Sequence, residues 1–187
     1  MPKIYFSSTN NHEREYLFRL LKEKKWFKDA NFTNVLLPKD EKEAELVIAR
    51  RRSELFKNKI GKLEKSWRKI EPEFFRVARS YKQKKLLNKY LCHVSQFGPE
   101  GKYRRPNFIF IRLRTKKDDK RALETIAHEL LHLMFADFLE SKKATYPERE
   151  GIIDILIAQS DLKKLFTHYE MQSVGRVNQK MLKEILS

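Results

Sequence analysis

The most specific chemistry in the chain lies at His128-Glu129-Leu130-Leu131-His132, a His-Glu-x-x-His pattern inside a stretch with helical character. On a helix, positions i and i+4 lie one above the other, so the two imidazoles converge on one point. Two neutral ring nitrogens at that separation suit a zinc ion, and Glu129 sits beside them, placed to take a proton from a water. Ile126, Ala127, Leu133 and Met134 flank the motif, and a helix apolar nearly all round is a buried one. Burying two histidines and a glutamate without a partner is costly, and a metal ion removes that cost.

Catalytic zinc takes a third protein ligand and keeps its fourth position open. The metzincin continuation would need Gly at 135 and His at 138, and both positions are Phe, which excludes that class. The remaining candidates are Glu148, Glu150 and Asp154 on the next helix. Glu150 and Asp154 are one helical turn apart and face the same way. Glu150 is favoured as ligand and Glu148 held in reserve, because Glu148 follows Pro147 and suits a helix N-terminus. Asp154 then accepts a hydrogen bond from a ligating imidazole and fixes its tautomer. Gly151 is expected to let the two helices approach closely.

His128-Glu129-x-x-His132 followed by Glu150-x-x-x-Asp154 resembles the gluzincin branch of zinc metallopeptidases, and by size the minimal single-domain minigluzincins. The resemblance covers about residues 85–170. It implies an α+β, zincin-like fold: a small mixed sheet with a β-hairpin over an active-site helix, then a glutamate helix. It implies one zinc ion on His128, His132 and Glu150, Glu129 as general base and acid, and Asp154 beside His128. The activity implied is peptide-bond hydrolysis, more as an endopeptidase than an exopeptidase. Peptide substrate would add to the sheet edge in extended form, a role given to the hairpin at 89–113, with Asn107, Phe108, Ile109, Phe110 and Ile111 as the edge strand. For the oxyanion stabiliser, His168 and Tyr169 lie at a suitable place and Tyr146 is the alternative. Only 17 residues separate His132 from Glu150, so the cleft floor is minimal.

The elements that must position these groups follow from pattern. Lys3–Phe6 predicts a strand and Asn11 a helix cap, with the helix reaching Phe27. Asn34–Leu37 is a short apolar run, and Asp40 caps a helix bearing Leu46, Val47 and Ala49. Gly61 is expected to break the chain before a helix with Trp67, Phe74 and Phe75, ending near Tyr81, with Pro72 kinking or splitting it. Tyr90–Ser95 and Asn107–Leu113 predict strands, and Gly98-Pro99-Glu100-Gly101 between them predicts an antiparallel hairpin. Asp118 and Asp119 open the motif helix, which runs to about Glu140. Helices over 148–168 and 177–186 follow. Residues 1–84 read as a basic, mainly helical region (a pro-segment, a recruiting arm or an integral part of the fold) and 85–187 as the minimal catalytic domain.

Composition sets the outer bounds. The 187 residues carry 41 Lys and Arg against 25 Asp and Glu, a net charge of +16, yet are 41% hydrophobic, which excludes wholesale disorder. The charge is uneven, at +11 over 1–101, +7 over 102–121 and −2 over 122–187. The basic part is therefore expected to attract polyanions, nucleic acid among them, although no RNA- or DNA-binding signature is present. No apolar run approaches the roughly 20 residues of a membrane span. The N-terminus is too charged for a secretory leader, and the single cysteine, Cys92, excludes an internal disulfide framework. A cytoplasmic location is expected. Cys92 reads as a buried strand residue, with capping of a latent zinc as the alternative. Two rival functions remain, a non-catalytic basic binding protein on a zincin scaffold and a protease recruited to nucleic-acid-bound proteins.

Overall fold

Strand patterning on both sides of a sheet organises the chain. The computed structural model describes residues 2–7, 10–29, 35–50, 54–167, 169–171 and 175–187. In chain order the elements are β1 (Lys3–Ser7), α1 (Asn10–Asp29), α2 (Glu41–Arg50), α3 (Glu54–Ser80), β2 (Lys89–Ser95), β3 (Gly101–Arg104), β4 (Phe108–Arg112), α4 (Lys116–Ser141), α5 (Tyr146–Gln159), a 3-10 turn (Asp161–Lys164) and α6 (Gln179–Leu186). The sheet order is β1-β2-β4-β3, with β1, β2 and β4 parallel and β3 antiparallel to β4. The fold is mixed α+β, with a small open sheet.

The alternation of side chains splits the interior into two clusters. Ile4, Tyr90, Cys92, Val94, Ile109 and Ile111 point to one face, where α3, α4, α5 and α6 complete the main core. Phe110 points to the other, against Tyr16, Leu17 and Leu20 of α1 and Val47 and Ile48 of α2. Trp67, Phe74 and Phe75 of α3 belong to the main core together with Ile126, Leu130 and Leu131 of α4. Residues on both sides of position 84 thus share one continuous core, and β1 is hydrogen-bonded to β2 across that boundary. Among the described residues no helix is long and apolar enough to cross a membrane.

Several expectations are corrected. The strands at 90–95 and 107–113 are not an antiparallel hairpin, because β2 and β4 run parallel and the hairpin is β3–β4. Asn107, Phe108, Ile109, Phe110 and Ile111 therefore do not form an edge: β4 lies between β2 and β3, Asn107 precedes it, and β3 is the edge strand. A four-residue strand made of Gly, Lys, Tyr and Arg carries too little apolar pattern to announce itself. Gly61 breaks nothing and Pro72 sits inside the same helix, since α3 runs unbroken from Glu54 to Ser80. Burial of Ile60, Leu63, Trp67, Phe74 and Phe75 along one face outweighs the roughly 1 kcal/mol that a helical glycine costs. The helix expected to reach His168 ends at Gln159, where Ser160 turns its hydroxyl to the Leu162 N–H and caps the 3-10 turn instead. Asn34 and His168 lie outside the described residues.

The start of α4 is locked by a buried ion pair. Arg112, at the end of β4, donates through Nη2 to Asp118 Oδ1 at 2.9 Å, and the two side chains are only 6% and 1% exposed. Asp118 Oδ2 also accepts the backbone N–H groups of Arg114 and Thr115, and Thr115 Oγ1 accepts the Asp118 N–H, a reciprocal cap. Burial pushes the Asp118 carboxyl up, but the hydrogen bonds from Arg112, Thr115 and Arg114 outweigh it and hold it below the ordinary aspartate value. Its stabilisation is therefore complete above the unfolded value of about 4 and is lost as pH falls through the lower folded value. Asp118→Asn should cost about 3 kcal/mol at pH 7, the scale for a buried pair broken on one side. Urea denaturation should show the gap from wild type closing on acidification below pH 4, and a gap constant with pH would contradict the assignment.

Candidate metal centre

Every residue of α4 from Ile126 to Ala136 is buried, so the His-Glu-x-x-His segment runs through the interior. α5 crosses it, placed by its own N-terminus. There Glu148 Oε2 accepts from both the backbone N–H and the hydroxyl of Thr145, and Glu148 Oε1 accepts from Asn178 Nδ2, the cap residue of α6. Glu148 is thus a helix cap, and Glu150, two residues on, is the acid that turns inward with 6% exposure.

His128 Nε2 lies 3.0 Å from Glu150 Oε2, His132 Nε2 lies 3.3 Å from the same oxygen, and the two Nε2 atoms are 2.9 Å apart. Tetrahedral zinc with bonds of about 2.0–2.1 Å holds its donor atoms about 3.3 Å apart, so this triangle approximates one face of its coordination shell. Among the described residues these three form the one His/Cys/Asp/Glu group with metal-ligand spacing. Hydrogen bonds satisfy the triangle only in part, because the contact between two ring nitrogens holds a single proton. His132 Nδ1 is buried with no hydrogen-bond partner among the described residues. Two imidazoles and one carboxylate at this spacing are the donor set of a divalent cation of the zinc type, which would take the place of the protons they share.

The outer nitrogen of His128 is held by a relay. Tyr169 Oη donates to Asp154 Oδ1 at 2.5 Å and stands 2.7 Å from His128 Nδ1. Having given its proton to Asp154, the hydroxyl accepts from Nδ1–H. Burial opposes the charged His128 ring, but the Glu150 hydrogen bond and the carboxylates of Glu129, Glu150 and Asp154 prevail and raise its pKa. Asp154 is 3.5 Å from the ring nitrogen, so its influence on His128 runs largely through Tyr169. Tyr169 therefore sits on the far side of His128 from the triangle, away from the place proposed for an oxyanion donor. Tyr146, the first residue of α5, is 54% exposed, and Glu150, Glu129 and Asp154, after burial, push its hydroxyl pKa up.

Electrostatics follow from burial and close approach. Burial pushes Glu150 up, but hydrogen bonds from His128 and His132 prevail and take it down to about 2. Burial drives the His132 pKa down and the facing His128 adds to this, against the pull of Glu150, so His132 stays neutral. Burial carries the Glu129 carboxyl up to about 7.

Two glycines make room for this arrangement. A Cβ on Gly101, at the start of β3, would lie 2.4 Å from Glu129 Oε1 and 2.5 Å from Thr125 Cγ2. Gly151, expected to let α4 and α5 approach, makes room for another segment: a Cβ there would meet the Arg176 backbone at 2.3 Å. The chain at 175–176 lies flat on α5, held by the Arg176 N–H to the Pro147 carbonyl at 2.7 Å. Tyr103, absent from the sequence-based candidates, stacks on His132 with ring centroids 5.0 Å apart and planes 14° apart. The alternation that puts Gly101 and Tyr103 on one face of β3 spans only four residues, too few to mark Tyr103 in the sequence. Cys92 is fully buried in the sheet core, His93 is paired with Glu13, and neither joins the triangle.

No family model, curated protein or solved structure matches the chain, so the likeness to gluzincins stands on the motif residues. His132→Ala and Glu150→Ala should each abolish stoichiometric zinc uptake, measured by elemental analysis after zinc loading and desalting. Zinc at about 100-fold over its Kd should stabilise the wild type by about 2.7 kcal/mol and leave both variants unmoved. A wild-type melting temperature indifferent to saturating zinc would contradict the site.

Proposed function

We infer that the protein is a zinc-dependent peptidase whose metal is held by His128, His132 and Glu150. The convergence of those three ligand atoms, with Glu129 buried beside them under the sheet edge, is the observation that carries this reading. Bound zinc supplies a Lewis acid with an open coordination position, suited to activating water for attack on a carbonyl. Glu129 is the base that takes the proton from the attacking water and returns it to the leaving amine. Its elevated pKa in the buried setting suits both halves of that transfer. Asp154 and Tyr169 hold the His128 ring and keep the Nδ1 proton in place. Tyr103 covers His132 and restricts its ring.

The edge strand β3 offers its outer backbone groups to an extended peptide, the substrate class that fits a sheet edge above a buried base. Gly101 brings that strand down onto Glu129. Tyr146, exposed at the first residue of α5 and four residues before Glu150, is the candidate for the developing oxyanion.

Glu129→Gln should retain zinc and reduce cleavage of a denatured protein by about 10²–10⁴-fold, the usual contribution of a general base. Gly101→Ala should displace the Glu129 carboxylate and lower kcat while zinc content stays at one equivalent. Tyr146→Phe should lower kcat by about 10²-fold, the scale for one oxyanion donor, with KM little changed. Zinc-loaded wild type that cleaves no denatured protein, under conditions where a chelator control is also silent, would leave a non-catalytic scaffold as the correct reading.

A further inference from the structure

The face of the sheet opposite the metal centre is only half covered. Strand register places Tyr5, Leu91, Phe108 and Arg104 side by side in one row across all four strands, with Lys3 and Lys89 as neighbours in the next row of β1 and β2. α1 covers the far end of this face, where Tyr16 stacks on Phe110 at 4.8 Å, and leaves the Tyr5 row open. Tyr5 is 46% exposed, and Leu91 and Phe108 are partly buried. Cations sit on the aromatic rings: Lys89 Nζ lies 5.1 Å from the Tyr5 centroid and the Arg104 guanidinium 4.9 Å from that of Phe108. Beneath α1, between Arg19, Tyr16, Phe108 and Arg104, lies a cavity of about 130 Å³. A cavity of about 150 Å³ holds one benzene ring, so this one is matched to a single planar ring.

Charge at this surface is mainly positive. Lys3, Lys89, Arg19 and Arg104 have no carboxylate partner among the described residues. Glu13, the acid nearest the floor, is fully buried and engaged by His93 Nε2 at 2.6 Å and Ser95 Oγ at 2.9 Å. Glu15 is the one exposed acid in the cavity lining.

We propose that this open sheet face binds single-stranded nucleic acid, with one base in the cavity against Phe108, a second stacked on Tyr5, and phosphates on Lys3, Lys89, Arg19 and Arg104. Aromatic rings interleaved with unpaired cations are what a flexible polyanion with planar bases recognises. A duplex keeps its bases stacked inside and cannot present them to Tyr5 or to the cavity. An acidic peptide satisfies the cations but leaves the rings without partners. The metal centre plays no part in this surface. The strand β3 divides the two, since Arg104 faces the open side while Tyr103 faces His132.

The test is fluorescence anisotropy of a labelled 15-nucleotide oligo(dT) and oligo(rU) with the full chain, against a 15-base-pair duplex of the same label. Single strands should bind at least ten-fold more tightly than the duplex. Tyr5→Leu, at an exposed position, should weaken single-strand binding at least five-fold with the thermal melt unchanged. Lys89→Ala with Arg104→Ala should flatten the salt dependence by about 1.4 in the log–log slope, at about 0.7 per phosphate contact on a single strand. Phe108→Leu should also weaken binding; should it fold poorly, the Tyr5 and cation variants decide the matter alone. Equal affinity for the duplex, displacement by poly-glutamate at equal charge concentration, a Tyr5→Leu variant indistinguishable from wild type, or preference for phosphatidylserine vesicles over both oligonucleotides would each overturn the proposal.

Discussion

Five ionisable side chains, His128, Glu129, His132, Glu150 and Asp154, are buried on facing turns of α4 and α5, none more than 7% exposed. Removing that many polar groups from water carries a desolvation cost of several kcal/mol per charge unless each finds a partner in the interior. The partners are local and specific. Glu150 takes both imidazoles, and Tyr169 joins His128 to Asp154. What is left over is the triangle of His128 Nε2, His132 Nε2 and Glu150 Oε2, in which the contact between the two ring nitrogens holds one proton, a spacing that could hold a metal ion.

Such a cluster tolerates little slack, and the surrounding structure supplies rigidity where each helix enters it. α4 begins at the Arg112–Asp118 pair, which ties the helix to the end of β4, and α5 begins at the Thr145–Glu148 cap, which Asn178 ties to α6. Both anchors lie at helix N-termini, where free N–H groups favour carboxylates, and both sit within a few turns of the ligands they orient. The strap at 175–176 closes over α5 at Gly151, and Gly175 comes within 3.3 Å of Asp154 Oδ2, measured from where its Cβ would be. A side chain at either glycine would move the strap and, with it, the carboxylate that holds Tyr169. Small residues thus serve the cluster by letting backbone take the place of side chains.

This distribution explains what was legible in the residues alone. His128, Glu129 and His132 are readable because three chemical types at helical spacing share one element, and Glu150 and Asp154 because a second element repeats the spacing. The two helices were legible for the same local reason, and their caps lay at Asp118 and near Pro147. Contacts between elements carry no such period. Tyr169 was in view as an oxyanion donor, yet its actual partner on the outer nitrogen of His128 depends on the path after Ser160. Tyr103 and Gly101 belong to a strand of four residues, too short for alternation to be told from chance. The parallel pairing of β2 with β4 was hidden because Gly98-Pro99-Glu100-Gly101 marks a turn faithfully but cannot say which neighbour the returning chain will pair with.

The same short strand separates cations from the buried cluster. In β3, Gly101 and Tyr103 face the helices while Lys102 and Arg104 face the opposite side, so a period of two residues separates chemistry from charge across the thickness of one sheet. Of the ten acids in residues 122–187, Glu129, Glu150 and Asp154 are buried in the cluster, where carboxylates meet imidazoles. Apart from Arg112, which is buried against Asp118, no described lysine or arginine is buried. A strongly basic exterior and a buried cluster of imidazoles and carboxylates are therefore compatible in a small fold, because the sheet separates one from the other. Had the basic row faced α4, cations beside His128 and His132 would have opposed the binding of a second positive charge, and the triangle with Glu150 would have lost the field that favours a metal.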